Sequence, residues 1–506
     1  MVRAYDWIAY HAGESPERLA QIDLHSGRRY TYRQMHERTG RLAAALSKLG
    51  VQRGDRVALL ANNSTDCMDA EFACMKLGAV YVPLNWRLTV PELTYILGDC
   101  GPRVLIHEDV FADAAQALGD ACRIDHLVEL NADGAESAFE ACIAAAEPME
   151  QIAGVTHDDL WTIMYTSGTT GHPKGAMITF GMTFWNVVNL TNPHRLFPGM
   201  VNLCVLPLFH TGGLNCYANP ALHMGGTNVV MRSFDPGRTL AMLQDQDYGV
   251  THFLAVPANY LFMSQHPDFD AADLTRLHVC GVGGAPTPVE LIKIYAAKGK
   301  ALQQGFGMTE TSPLVTALTA EMAELKIGSS GRCAMHTELR IVDEDGQTVP
   351  EPDTVGELWV KGPNVTPGYW NRDDANASSF TDGWLHTGDA AYVDADGYVF
   401  IVDRWKDMYI SGGENVYPAE VENVIYQLPG VGEVAVIGVP DERWGEVGQA
   451  VIVTKEGASL DEETVLKHCS ERLARFKQPQ SVRFVAEIPH NATGKILKRD
   501  LREANA

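Results

Sequence analysis

The chain has 506 residues, 46% hydrophobic and 21% charged, so it reads as a globular protein too long for one ordinary core. Its net charge of −24 argues against broad nucleic-acid or anionic-membrane binding, which need basic patches, so any cation that meets an anionic substrate must be local. The ten cysteines form no CxxC pair, which fits free thiols in a reducing compartment better than a disulfide framework or a zinc site.

The N-terminal stretch MVRAYDWIAYHAGESPERLA lacks a basic head followed by an apolar core, so no signal peptide is read. With no apolar run of about 18 residues, no membrane insertion is expected and the location is read as cytoplasmic. YTYRQMHERTGRLAAALSKLG has the spacing of an amphipathic helix closing at Gly50. DRVALLA, DAEFACMKLGA and VYVPL then read as strand, helix and strand, which implies βαβ units and mostly parallel pairing. The apolar run DLWTIMYT leads directly into YTSGTTGHPKGA, residues 165–176. HFLAVP and LHVCGVGG are two more apolar runs ending in Pro or Gly, and loops at such strand ends are where α/β sheets bind ligands. Past Val360 the chain becomes rich in Gly, Asp and aromatics, with tight turns such as Asp396-Gly397. A compact α+β unit follows: PAEVENVIYQL sets Val421, Val424, Ile425 and Leu428 on one helical face, with Pro418 suited to the first turn. EVAVIGVP, DEETVLKHCSERLARF and SVRFVAEIP complete it as strand, helix and strand. The boundary falls in DRWKD, giving domains of residues 1–403 and 404–506.

YTSGTTGHPKGA sets Thr166, Ser167, Thr169 and Thr170 among Gly168, Gly171 and Gly175, with Lys174 near its end. Glycines let backbone N–H groups point inward together, hydroxyls add donors and lysine adds a compact charge, so the stretch suits polyphosphate. A P-loop is excluded by spacing: counting from Gly168, the second glycine position holds Pro173, and Lys174 precedes Gly175. Rossmann spacing fails too, because Gly281 and Gly283 lead to Pro286, and Gly305 and Gly307 lead to Glu310. No HExxH is present. The loop by itself says phosphate and leaves the chemistry open.

In QGFGMTE, a threonine beside a carboxylate after a glycine turn suits a phosphate oxygen and Mg²⁺, or else Thr309 simply caps a helix. VGGAPTP can seat a flat ring on bare backbone or serve as a plain turn. Asp389 can accept from a ribose diol or close a turn, and Arg404 can bind phosphate or lie solvated on the surface. Lys495 alone reads as a tail lysine. His210, in LFHTGGL, alone reads as a core or turn histidine.

Together, in order and across nearly the whole chain, these pieces resemble the adenylate-forming superfamily: acyl- and aryl-CoA synthetases, firefly luciferase and the adenylation domains of peptide synthetases. YTSGTTGHPKGA, LPLFHTGG, GGAP, QGFGMTE, GELWVKGPNVTPGYW, DGWLHTGD, VDRWKDMYISGGENVYPAEVE and NATGKILKR carry the likeness. The resemblance implies an α/β fold with a large N-terminal domain of two α/β sheets plus a small barrel, and a small mobile α+β C-terminal domain. It implies an AMP-forming acid–CoA ligase using ATP, Mg²⁺ and coenzyme A. By residue, it implies that Thr166, Ser167, Gly168, Thr169, Thr170, Gly171 and Lys174 hold the β- and γ-phosphates. Gly283, Gly284 and Ala285 would enclose the adenine with Phe306, on the turn of Gly305, Gly307 and Met308. Thr309 would touch the α-phosphate, Glu310 the metal, and Asp389 with Arg404 the ribose. Lys406 falls at the hinge, Lys495 at the adenylation lysine, and Gly412 and Gly413 on the thiol tunnel. Lys495, Glu310, Thr309 and His210 form the expected catalytic set.

The acid pocket is assigned to His210, Thr211, Gly212, Gly213, Val256, Pro257, Ala258, Asn259, Gly281 and Val282. These are mostly small or apolar, so an uncharged tail is expected and dicarboxylates are disfavoured. No aspartate stands where amino-acid adenylation domains carry one, and the chain shows no carrier domain before Ala506, so free coenzyme A is the expected acceptor. The wording looks most like bacterial hydroxycinnamate (feruloyl or coumaroyl) synthetases, with fatty-acid synthetases next. A non-catalytic ATP- or acyl-binding relative is the alternative class, and a homodimer is compatible with the sequence.

Overall fold

Four sheets organise the computed structural model, which describes residues 2–134, 136–166, 173–343, 345–404, 407–411, 414–441, 443–490 and 496–504, with backbone alone at 404, 414 and 415. The first sheet runs His126–Leu130, Val104–Glu108, Arg56–Leu60, Val80–Pro83, Leu160–Thr166, Lys174–Thr179. All its neighbours are parallel except the last pair, a hairpin in which Thr166 faces Lys174. Lys174 therefore begins a strand, where the sequence reading had kept it in the loop.

The second sheet has nine strands. Its parallel centre runs Leu302–Gly307, Val279–Val282, His252–Ala255, Val201–Cys204, Thr227–Val230, Leu19–Asp23. Antiparallel strands flank it at both ends. One apolar cluster joins both sheets through the helices Tyr32–Lys48 and Thr65–Leu77. The first of these starts later than its periodicity implies, because Arg29–Thr31 pairs as a strand and Thr31 forms a capping box with Gln34. Thr65–Leu77 is buried at every position, its four charged residues included. Arg28 and Arg38 pair with Asp66 at 2.6 and 2.8 Å, Arg38 pairs with Asp69 at 2.6 Å, and Lys76 pairs with Asp6. Buried charges persist only with such partners.

Where a small barrel was expected, Glu338–Val342, Gly356–Lys361, Trp384–Val393, Phe380–Thr381 and Val399–Arg404 form an antiparallel sheet around the long bent strand Trp384–Val393. Among the described residues no pairing joins Glu338–Val342 to Val399–Arg404, so the ladder stays open.

The C-terminal unit is a fourth sheet of Glu414–Val416, Tyr409–Ser411, Gly445–Thr454, Val431–Asp441 and Ser481–Phe484. Helices Pro418–Ile425 and Glu462–Ser470 pack on it through Val421, Ile425, Val465 and Cys469. The second helix is shorter than DEETVLKHCSERLARF implies. After Ser470 the chain turns, so that Leu473 and Phe476 also reach this core. All ten cysteines are free, and among the described residues no helix is long and apolar enough to cross a membrane.

Candidate active site

Parallel strands align their ends, so the loops that follow them meet at one edge. In the nine-stranded sheet four such ends carry the residues singled out from sequence: Cys204 leads toward His210–Gly213, Ala255 to Val256–Asn259, Val282 to Gly283–Ala285, and Gly307 to Met308–Glu310. The register Gly281↔Gln303 and Val282↔Gln304 brings Gly283 alongside Gly305. A Cβ on Gly283 would come within 2.9 Å of the Gly305 carbonyl oxygen, so this approach needs glycine. The two glycine turns expected to enclose a flat ring are thus in contact, and Phe306 lies beside them, half-buried against the antiparallel sheet.

Thr309–Thr311 forms one short 3-10 turn, with Thr309, Glu310 and Thr311 all buried. The turn is tightly fastened. Met308 N–H donates to the Pro313 carbonyl at 3.1 Å, and a Cβ on Gly307 would lie 1.9 Å from that oxygen. Buried Asn364 donates to the carbonyls of Thr311 at 3.0 Å and Leu314 at 2.7 Å. Asn215 donates weakly to Ser312 Oγ at 3.5 Å and to Thr211 Oγ1 at 3.4 Å, linking the turn to the His210 segment. Asn219 bridges Asn215 Oδ1 and Glu71 Oε1, both at 2.9 Å. Burial pushes the Glu71 carboxyl up to about 8.

The hairpin strand Lys174–Thr179 reaches this turn from the other sheet. Thr366 N–H donates to the Glu310 carbonyl at 2.7 Å, and Thr366 Oγ1 to the Met177 carbonyl at 2.6 Å. Tyr369 donates its hydroxyl to Glu310 Oε1 at 2.7 Å, while Lys174 Nζ lies 5.1 Å from the centre of the same ring. The lysine expected to hold phosphate and the carboxylate expected to meet a metal therefore converge on one side chain. Asp389, 5% exposed, sits on Trp384–Val393 directly opposite Arg404.

His210 lies at the start of the short helix Thr211–Gly213, and its Nδ1 accepts from Gly212 N–H at 3.1 Å. Thr211, Pro257 and Val282 are buried, so in this state they form wall more than surface. Gly281 lies against a buried aromatic: a Cβ there would fall 2.6 Å from the Tyr217 hydroxyl oxygen, which is 2.8 Å from His194 Nδ1. Ser167, Gly168, Thr169, Thr170, Gly171, Lys406, Gly412, Gly413, Lys495 and the side chain of Arg404 lie outside the described residues.

The AMP-binding enzyme family matches residues 8–370, and the AMP-binding enzyme C-terminal domain matches residues 420–495. The chain belongs to the AMP-binding enzyme family. This AMP-binding enzyme is 43% identical over 498 residues to a feruloyl-CoA synthase of Amycolatopsis sp, covering 98% of both chains. It is 40% identical over 509 residues to the long-chain-fatty-acid–CoA ligase FadD13 of Mycobacterium tuberculosis, covering 98% of this chain and 97% of that one. ATP-bound MatB from Rhodopseudomonas palustris overlays with a TM-score of 0.92 at 33% identity, covering 99% of this chain and 98% of that one. Apo MatB from the same organism, at the same identity, overlays at 0.80, so this AMP-binding enzyme is arranged more like the ATP-bound chain. It is an AMP-forming acid–CoA ligase whose co-substrates are ATP and coenzyme A, with Mg²⁺ as the metal.

The residues present fit that metal. Glu310 and Thr309 supply hard oxygen donors beside the two glycine turns, and no cluster of three His, Cys, Asp or Glu forms a protein cage among the described residues. A magnesium ion shared between one carboxylate and a triphosphate needs no such cage.

Two contributors were not legible as such. Tyr369 lies inside the quoted GELWVKGPNVTPGYW, but no spacing rule pairs it with Glu310. Asn364 lies in the same motif, and no local pattern ties it to the carbonyls of Thr311 and Leu314.

Proposed function

We propose that the acid is an aryl-propenoate of the ferulate or 4-coumarate kind. The observation that carries this reading is the 43% identity to feruloyl-CoA synthases along 98% of the chain. The pocket assigned from sequence supports it: small and apolar, and backed at Gly281 by Tyr217, which suits a flat ring better than a long flexible tail. The 40% identity to FadD13 favours the second reading, a fatty acid.

The proposed chemistry follows from charge. A carboxylate is a poor electrophile, so its oxygen first attacks the α-phosphorus of ATP and pyrophosphate leaves, giving the acyl-adenylate. Lys174 and the loop from Thr166 to Gly171 hold the β- and γ-phosphates. Thr309 contacts the α-phosphate, Asp389 and Arg404 hold the ribose, and Lys495 offsets the charge gathering at the transferred phosphorus. Magnesium, when bound at Glu310, neutralises phosphate charge. The thiol of coenzyme A then attacks the acyl carbonyl and AMP leaves. One site serves both steps if the domain beginning at residue 404 turns about Lys406, withdrawing Lys495 and bringing in Gly412 and Gly413. The ten free thiols support a cytoplasmic location.

A panel of ferulate, 4-coumarate, benzoate and fatty acids from butyrate to palmitate, compared by kcat/KM, tests the choice of acid. Aryl-propenoates should lead by at least about tenfold, the scale of one well-filled apolar pocket contact. A fatty acid in first place overturns the reading.

A further inference from the structure

Tyr369 is seated by several backbone and side-chain hydrogen bonds. Its strip of chain is stitched to the edge strand of the first sheet. Met177 N–H donates to the Gly368 carbonyl at 3.1 Å, and Trp370 N–H donates to the Gly175 carbonyl at 2.8 Å. Asn376 Oδ1 accepts the Tyr369 N–H at 2.7 Å, and Asn376 Nδ2 donates back to its carbonyl at 3.1 Å. The side chain is 7% exposed, so neither backbone nor ring has room to drift. From that fixed position the hydroxyl reaches Glu310 Oε1 and the ring face meets Lys174 Nζ.

We propose that Tyr369 is a positioning residue for the metal–nucleotide complex. Its hydroxyl sets the orientation of the Glu310 carboxylate, and its ring seats the Lys174 ammonium until a polyphosphate draws it away. This rests on the reading of Glu310 and Lys174 given above. The choice of a phenol has a physical reason. A carboxylate that must serve a cation has to be oriented without being neutralised, and a neutral O–H donor does that where a lysine or arginine would compete with the metal. The ring face attracts the ammonium weakly enough to release it, since the phosphates of ATP offer full negative charge in its place. Lys174 is thereby stored next to the carboxylate's own support, close to where the phosphates arrive.

The test measures binding directly. Manganese, which reports by electron paramagnetic resonance, is titrated into enzyme with ATP, using wild type, Glu310→Gln, Tyr369→Phe and Tyr369→Leu. Tyr369→Phe keeps the ring and loses the hydroxyl, so Mn²⁺ affinity should fall about tenfold, the usual scale for losing a residue that supports a metal ligand. Metal-free ATP binding by calorimetry should stay unchanged in Tyr369→Phe and tighten in Tyr369→Leu, because the ring contact to Lys174 is made in the free enzyme and given up to the phosphates. Excess Mg²⁺ should restore the adenylation rate of Tyr369→Phe, which it would not do if the hydroxyl only stabilised the fold. If Glu310→Gln weakens Mn²⁺ binding and Tyr369→Phe does not, the inference about Tyr369 is overturned and the site reading stands. If Glu310→Gln leaves Mn²⁺ binding unchanged, the site reading itself fails.

Discussion

Glu71 shows how far a single residue can depart from its sequence neighbourhood. It is 1% exposed on a helix buried on all sides, and Asn219 donates to its Oε1 at 2.9 Å. Burial outweighs that hydrogen bond and raises its ionisation from 4.5 to about 8. Between these values the folded chain keeps a proton that the unfolded chain has lost, so folding weakens as pH rises. The contribution is fully present below 4.5 and is lost as pH climbs through the folded value of about 8. Glu71→Gln cannot ionise. Its melting temperature should therefore gain on that of wild type steadily from about pH 5 to about pH 8 and then level off. A difference that stays flat with pH would contradict this assignment of the proton. Little of it was legible beforehand: DAEFACMKL reads as a helix, but only tertiary packing, which brings Asn219 of the helix Asn219–His223 against it, buries Glu71.

At the scale of elements, the turn Thr309–Thr311 is too short to hold itself and borrows its rigidity. Asn364 is fully buried, spans the carbonyls of Thr311 and Leu314, and accepts from Thr337 Oγ1 at 2.8 Å. Asn364→Ala strands two buried carbonyls, each costing about 1–3 kcal/mol when left unpaired. The expected outcome is a lower melting temperature together with slower pyrophosphate release. A variant with wild-type stability and rate would show that the turn is held elsewhere. The strand ends feeding the site were readable, because DLWTIMYT runs straight into the glycine- and hydroxyl-rich YTSGTTGHPKGA, and HFLAVP and LHVCGVGG are apolar runs that stop at proline or glycine. The strand starting at Lys174 was not, since KGAMIT shows weak alternation and earns its pairing from Leu160–Thr166 on one side and from residues 366–370 on the other.

At the scale of the molecule, the proposed two-step reaction depends on how the C-terminal unit is held. Asp403, near the end of the antiparallel sheet, accepts from Ala419 N–H at 3.0 Å in the first turn of Pro418–Ile425 and lies 3.9 Å from Lys498, which also pairs with Glu422 at 2.8 Å. A carboxylate at a helix N-terminus is favoured by the helix dipole as well as by the hydrogen bond. If the domain turns about Lys406, these contacts must be remade. Asp403→Asn should therefore loosen the arrangement shared with the ATP-bound relative and slow adenylation roughly fivefold or more, the scale of a modest coupling energy. Transfer to coenzyme A from supplied acyl-adenylate should change less. Equal loss in both half-reactions would remove Asp403 from the control of orientation.

The sequence by itself determined the family-level chemistry. An ordered set of glycine turns, hydroxyls and charged residues survives without knowledge of contacts, because backbone N–H cradles and phosphate-binding lysines are local devices with fixed spacing. It also marked the strand ends that carry the candidate site residues, since apolar runs give way there to glycine, proline or hydroxyl-rich loops. Tertiary structure decided the rest. Tyr369 meets Glu310 across 59 positions and Lys174 across 195, and Glu71 meets Asn219 across 148. Contacts of that span depend on sheet order and burial, which no local pattern encodes, and they set how firmly the reacting groups are held.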